Sequence, residues 1–227
     1  MRVEIKPIAR IHTDFSEKFG VPRQAGLAPS LTGKIVFEPE YRNIRAVKEL
    51  DGFSHIWLIW EFSQCPDSEF SPTVRPPRLG GNRRVGVFAS RSPFRPNRLG
   101  LSCVKIEKIE TGGENAPIIT VSGVDMTDGT PIYDIKPYIP IADCIPTASE
   151  GYTAQTKKYK ISVNCDENLL SIIPENKMQA LLELLSNDPR PAYNDEEGKE
   201  YGVTFAGFNI RFKYENNSLS VTQIKEV

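Results

Sequence analysis

Single alternation of apolar and polar residues runs through the first part of the chain. "RVEIKPIARIH" and "GKIVFEP" step with the two-residue period of a sheet, and "FSHIWLIWEF" (53–62) is apolar on both faces, as a strand central to a sheet or barrel is. "RVGVFAS", "LSCVKIEKIE" and "PIITVSGV" follow, and the turn-rich "TGGENA" between the last two predicts a hairpin. One helical period interrupts the strands: "NIRAVKEL" (43–50) puts Ile44, Val47 and Leu50 on one face, with Asn43 as N-cap. Many strands, few helices and frequent Pro/Gly turns predict a closed or nearly closed, mostly antiparallel barrel.

After "IKPYIPIADCIP" the texture changes. The polar "TASEGYTAQTKK" (147–158) reads as a linker, dividing a barrel domain (1–146) from a small C-terminal α+β domain (159–227). That domain should hold one strand, one helix and a terminal meander. The helix is "PENKMQALLELLSND" (174–188), with Pro174 near its start and an apolar stripe of Met178, Leu181, Leu182 and Leu185. "EYGVTFAGF", "NIRFKY" and "LSVTQI" alternate as strands, with "ENNS" as the turn between the last two. The fold class expected is therefore mainly β with some α.

Composition narrows the function classes. The 227 residues are 39% hydrophobic and 25% charged, the balance of a soluble globular protein. No apolar run approaches the roughly 20 residues of a membrane-spanning helix, and the N-terminus alternates where a signal peptide would be continuously apolar, so a cytoplasmic protein is expected. Cys65, Cys103, Cys144 and Cys165 form no CxxC pair, and His12 and His55 are the only histidines, so no metal centre is predicted. Neither G-x-G-x-x-G after a strand nor G-x-x-x-x-G-K-[ST] occurs, so a nucleoside cofactor would need another scaffold.

Charge is where the chain departs from the ordinary. Its net charge is only -1, yet Arg75, Arg78, Arg83, Arg84, Arg91, Arg95 and Arg98 fall between Arg75 and Gly100 without one Asp or Glu. A solvated loop neutralised by distant acids is one reading. Arginine forks interleaved with Phe88 and Phe94 in a Pro/Gly-rich loop favour another, RNA or a similar phosphate-rich ligand, because RNA is read through unstacked bases and phosphates. "SGVDMTDGTPIYDIKPYIP" gathers Asp125, Asp128 and Asp134 beside Lys136: turn and cap residues, or carboxylates for a cationic ligand or a proton transfer. His55 in its apolar strand reads on its own as a hydrogen-bonded core residue. "KFGVPRQAGL" is a loop whose Arg and Gln can bond a polar ligand.

Together, "VPRQAGL", "DGFSHIWLIWEF", "RPPRLGGNRRVGVFASRSPFRPNRLGLS", "SGVDMTDGTPIYDIKPYIP" and "DPRPAY" (188–193) resemble the TrmO family (TsaA-like or YaeB-like) of tRNA methyltransferases over almost the whole chain. The resemblance implies a single-sheeted β-barrel and a homodimer. It also implies methyl transfer from S-adenosyl-L-methionine to N6 of N6-threonylcarbamoyladenosine at position 37, in the tRNA anticodon stem-loop. Carried over by residue, the cofactor would meet Pro22, Arg23, Gln24, His55, Ile56, Arg91, Leu101, Asp125, Met126, Thr127 and Asp128. Asp125, Asp134 and Lys136 are the candidates for positioning or proton transfer. Arg75, Arg78, Arg83, Arg84, Arg95, Arg98 and Arg190 would face tRNA. Two other readings stay open at this point: a non-catalytic RNA-binding barrel, and a methyltransferase of a small molecule or protein.

Overall fold

His55–Glu61 alternates as its sequence requires, with Ile56, Leu58 and Trp60 buried and the odd-numbered positions turned outward. It is the third strand of a closed barrel in a computed structural model that describes residues 4–66, 69–76, 79, 83–156, 160–190 and 198–227. In chain order the first elements are β1 (Ala9–Thr13), β2 (Thr32–Phe37), β3 (His55–Glu61), β4 (Thr73–Val74), β5 (Val85–Gly86), β6 (Leu99–Glu110), β7 (Ile118–Ser122), β8 (Thr130–Pro137) and the short α1 (Pro140–Asp143). The barrel closes in the order β1-β2-β7-β6-β3-β8, with antiparallel neighbours throughout. Ile11, Ile35, Ile56, Leu58, Val104, Ile119, Val121 and Ile132 fill its interior. Each such side chain contributes about 1.5–3 kcal/mol by leaving water.

Three expectations need correction. Residues 43–50 are not one helix. Two 3-10 turns, Ile44–Val47 and Leu50–Gly52, are separated by Glu49, whose left-handed φ of 65° breaks the spiral; Asn43 does cap the first by accepting from Arg45 N. Only Val47 is deeply anchored there, while Ile44 is 54% exposed. "RVGVFAS" yields just the two residues of β5, paired with β4, before a 3-10 turn carries Val87 inward. Conversely, "TPIYDIKP", which the sequence reading leaves without an element, is the strand that closes the barrel, with a register shift around Tyr133.

The C-terminal part contains β9 (Ser162–Asn164), α2 (Glu167–Leu170), α3 (Glu175–Ser186), β10 (Glu200–Phe205), β11 (Phe208–Glu215) and β12 (Ser218–Glu226). Its sheet runs β10-β11-β12-β9, with β9 parallel to β12. Asn216 and Asn217 turn the last hairpin at φ of 50° and 58°, which asparagine tolerates well. The buried stripe of α3 is Ala180, Leu181, Leu184 and Leu185, so Leu184 takes the place expected for Leu182.

The chain between β1 and β2 lies between the two sheets. Lys177 pairs with Asp14 at 2.5 Å, and Ala206 N donates to the Asp14 carbonyl. Glu183 accepts from both Ser30 N (2.8 Å) and Ser30 Oγ (2.9 Å), and Asn187 Nδ2 donates to Leu27 O. Phe15 packs on Phe205 at 5.5 Å between centroids. At Gly20, with φ of 96°, a Cβ would sit 2.2 Å from the Val203 side chain, so glycine is what lets the strand come so near. One continuous apolar cluster runs through both sheets.

Candidate active site

Antiparallel alternation sends three connections to the same end of the barrel: 14–31 after β1, 62–98 after β3, and 123–129 after β7. These carry "VPRQAGL", the arginines and "DMTDG". Stretches far apart in sequence are therefore neighbours because of topology alone. "SHI" is not among them, because His55 begins β3 at the opposite end, about 16 Å from Trp60 at roughly 3.3 Å per residue.

At the shared end a hydrogen-bonded chain leads out of the barrel interior. Trp60 Nε1 donates to Ser102 Oγ (2.9 Å), and Ser102 Oγ donates to Asp125 Oδ1 (2.7 Å). Across the opening, Arg91 Nη1 donates to Gln24 Oε1 at 2.5 Å. Burial pushes the Asp125 carboxyl up to about 6, and the Ser102 hydroxyl, the Ala25 N–H and the Arg91 charge pull the other way without cancelling it. Trp60 leans on Phe62 with centroids 4.3 Å apart. The indole fits because residue 100 is glycine; a Cβ there would lie 2.3 Å from the ring. A poorly solvated carboxylate beside aromatic faces suits a cation, and a group titrating near 6 can take and release a proton close to neutral pH.

The other expected residues are placed differently. Pro22 is buried, and Arg23 reaches the C-terminal part, donating through Nη2 to Arg190 O (3.0 Å). A cavity of about 190 Å³ lies beside them, between Phe19, Pro22 and Leu184. Ile56 and Met126 belong to the core, and Thr127 is buried against Thr130, so these could offer a ligand only backbone atoms. Asp128 ties its loop to β1: its Oδ1 accepts from Thr13 N (3.0 Å) and lies 3.2 Å from His12 Nδ1, while its own N–H donates to Phe15 O. His55 Nδ1 lies 2.9 Å from Ser54 Oγ, and its ring stands edge-on to Tyr138 on the outer face. Leu101 also points outward. Asp134 and Lys136 pair with each other at 3.0 Å on that outer face. The structure thus brings together Gln24, Arg91 and Asp125, and leaves His55, Leu101, Asp134 and Lys136 outside that group.

The arginines divide as well. Arg75, Arg83 and Arg84 are exposed, Arg84 being steadied by its Nε bond to Thr73 Oγ1 (2.7 Å). Arg95 and Arg98 are half-buried and brace the loop, Arg95 through Val87 O and Ser90 O, Arg98 through Cys65 O. Arg78 lies outside the described residues. Arg190 differs from the exposed arginines: it is 3% exposed, paired with Asp188 through Nε and Nη2, and its guanidinium lies 3.3 Å from the Tyr214 ring centroid, inside the C-terminal part. Sequence reasoning missed Trp60, Ser102 and Gly100. Nothing local marks them, since a serine or glycine in an alternating strand looks ordinary until its cross-strand partner is known.

Among the described residues no group of three or more His, Cys, Asp or Glu is placed to hold a metal ion, and no helix is long and apolar enough to cross a membrane. Family models for the tRNA-methyltransferase O N-terminal domain and the TrmO C-terminal domain match residues 10–144 and 154–227. The chain belongs to the TrmO family. It is 39% identical over 218 residues to the tRNA (adenine(37)-N6)-methyltransferase of Escherichia coli K12, covering 92% of each chain. A Pseudomonas aeruginosa protein whose name assigns it to the S-adenosylmethionine-dependent methyltransferases is 39% identical over 222 residues, 94% of each. The crystal structure of TrmO from P. aeruginosa superposes with a TM-score of 0.80 at 31% identity, covering 100% of this chain and 98% of that one. The barrel with its added small sheet is thus the TrmO architecture.

Proposed function

We propose that this TrmO-family chain transfers a methyl group from S-adenosyl-L-methionine to N6 of N6-threonylcarbamoyladenosine at position 37 of tRNA, giving N6-methyl-N6-threonylcarbamoyladenosine. The observation that carries the reading is the partly buried, poorly solvated Asp125 carboxylate, held by Ser102 beside the Gln24–Arg91 pair at the arginine-bearing end of the barrel. The residues fit the cofactor. Gln24 and Arg91 would hold its polar ends, and Asp125 with the Trp60 and Phe62 rings offers the electron-rich surroundings that a sulfonium needs.

S-adenosylmethionine, when bound, supplies a methyl group already activated by a positive sulfur. The protein's work is then alignment, exclusion of water and management of one proton. The carbamoyl group withdraws electrons from N6 and acidifies its proton. Asp125, ionised at neutral pH, accepts that proton on a carboxylate that Ser102 keeps oriented. Arg75, Arg83 and Arg84 provide exposed cations for tRNA phosphates. Such a substrate is met in the cytoplasm, which we propose as the place of action. We also propose the division into a catalytic barrel (1–146), a linker (147–158) and a C-terminal domain (159–227).

A homodimer is the fourth part of the proposal. The outer face of β3 and β6, with the segment after β8, exposes Leu99 (38%), Leu101 (52%), Ile139 (43%), Ile141 (95%) and Ile145 (65%) beside Trp57 and Ile59. An apolar surface of this kind marks an interface. Ile141→Asp should convert a sedimenting dimer to monomer, and an unchanged sedimentation coefficient would refute this face.

The deciding experiment is mass spectrometry of nucleosides from tRNA incubated with the protein and labelled cofactor. Label should enter threonylcarbamoylated adenosine and scarcely enter an unmodified transcript. Equal rates on the two transcripts refute the carbamoyl dependence, and absence of label refutes methyl transfer. Replacing Arg75, Arg83 and Arg84 with Ala should flatten the slope of log tRNA affinity against log salt by roughly 2, at about 0.7 per single-strand contact.

A further inference from the structure

A second cavity lies on the arginine-bearing end, next to the Asp125 group. Its volume is about 220 Å³, room for one planar ring system. Phe70 and Phe94 border it together with Pro66 and Pro96, and Arg95, Arg98 and Glu69 complete the wall. The cavity adjoins the barrel mouth: Phe62 N donates to Arg98 O, Cys65 N donates to Phe62 O, and the Phe62 ring packs at a tilt against the same Trp60 that bonds Ser102. Arg91, at the mouth, and Phe94, at the cavity, are three residues apart, at most about 11 Å of extended chain.

Its lining is unusual for a surface loop. Phe70 is 58% exposed and Phe94 49%, so two large apolar rings stand in water beside a recess rather than filling it. The same loop exposes Phe88 (73%), with the Arg95 guanidinium 5.8 Å from its centroid. The bonds from Arg95 Nη1 go to two carbonyl oxygens, at 3.1 and 2.7 Å, which fix the guanidinium without cancelling its charge. Rings for stacking, a positioned cation for a phosphate and a carboxylate for an amino edge are the three components that receive a single unpaired nucleotide.

We propose that the cavity bounded by Phe70, Phe94, Arg95, Arg98 and Glu69 seats one unpaired nucleotide of the tRNA anticodon loop, adjacent to the base being methylated; the inference rests on the tRNA reading above. The base stacks on Phe70 and Phe94, and its phosphate faces the arginines. Glu69 accepts from an exocyclic amino group, so adenine, guanine or cytosine is favoured over uracil, whose flanking carbonyl oxygens a carboxylate repels.

The test uses the full chain and an anticodon stem-loop RNA carrying 2-aminopurine at each unpaired loop position in turn. One position should change its fluorescence on binding. Phe70→Ala/Phe94→Ala should abolish that change and weaken binding about ten- to a hundredfold, the range expected for the loss of one base stacked on aromatic rings. Phe70→Tyr/Phe94→Tyr should restore both, and Glu69→Gln should narrow the preference for an amino-bearing base over uridine. Wild-type affinity and fluorescence in a folded Phe70→Ala/Phe94→Ala protein overturn the nucleotide seat. If RNA binding instead falls only in the Arg75/Arg83/Arg84 variant, the tRNA face stands and the seat is wrong. If neither variant weakens binding, the tRNA reading itself fails.

Discussion

Asp125→Asn should make the protein more stable and less active, with a pH dependence that identifies the cause. The native state holds the Asp125 proton more tightly than the unfolded chain does, because burial raises its pKa from 3.8 to about 6. The stabilising contribution of this group is therefore complete below about 3.8 and is lost as pH rises through about 6. At about pH 8 the native ionised carboxylate carries a penalty of roughly 3 kcal/mol, and at about pH 4.5 only roughly 1 kcal/mol. Asparagine keeps the shape and an oxygen able to accept from Ser102 Oγ, but carries no charge. Urea unfolding of both proteins at the two pH values should show the variant ahead at both, with its lead greater at the higher pH by about 2 kcal/mol. Methylation of threonylcarbamoylated tRNA should fall sharply. A lead that does not change with pH refutes the assignment of burial as the cause, and full activity in the variant removes Asp125 from the mechanism.

Three more outcomes follow from the same geometry. Arg91→Ala removes a positive neighbour that holds the Asp125 pKa down, so the acid limb of the pH–rate profile should move to higher pH; a limb that stays put separates Arg91 from Asp125. Gly100→Ala forces a methyl group against the Trp60 indole and should cost about 1–3 kcal/mol in urea unfolding, with loss of activity as the Trp60–Ser102 bond is displaced. Asp188→Asn removes the carboxylate that accepts from Arg190 Nε and Nη2 and should destabilise the protein by about 1–3 kcal/mol, while the salt slope of tRNA binding measured on the folded variant stays unchanged.

What was legible in the sequence depended on the range of the interaction that fixes each feature. Alternation is local, so β2, β3, β6, β7 and the C-terminal meander were readable. The break at Glu49 was not, because a single left-handed residue leaves the helical spacing of Ile44, Val47 and Leu50 intact on paper. β8 is hidden by Pro131, Pro137 and the Asp134–Lys136 pair; it is a strand because β1 and β3 pair with it. For the site, motif resemblance named Gln24, Arg91 and Asp125, which do meet. It names Leu101, which faces outward in β6, and not its inward neighbour Ser102, because motif similarity carries no information about cross-strand partners. Arg190 illustrates the same limit: one more arginine by composition, but buried by Asp188 and Tyr214.

The anchoring of residues 14–31 by α3 and the turn after it also sets an order in time. Ser30 waits for Glu183, 153 positions later, and Leu27 waits for Asn187, 160 positions later. When Pro137 has left the ribosome every strand of the barrel exists and the ring can close, yet the loop carrying Pro22, Arg23 and Gln24 has nothing to hold its outer side. At about 5–20 residues per second, the fifty positions from Pro137 to Asn187 keep it so for roughly 2.5–10 seconds. The mouth of the barrel is thus completed only once α3 and the turn after it have emerged, and a chain released before them would carry a finished barrel with an unfinished mouth.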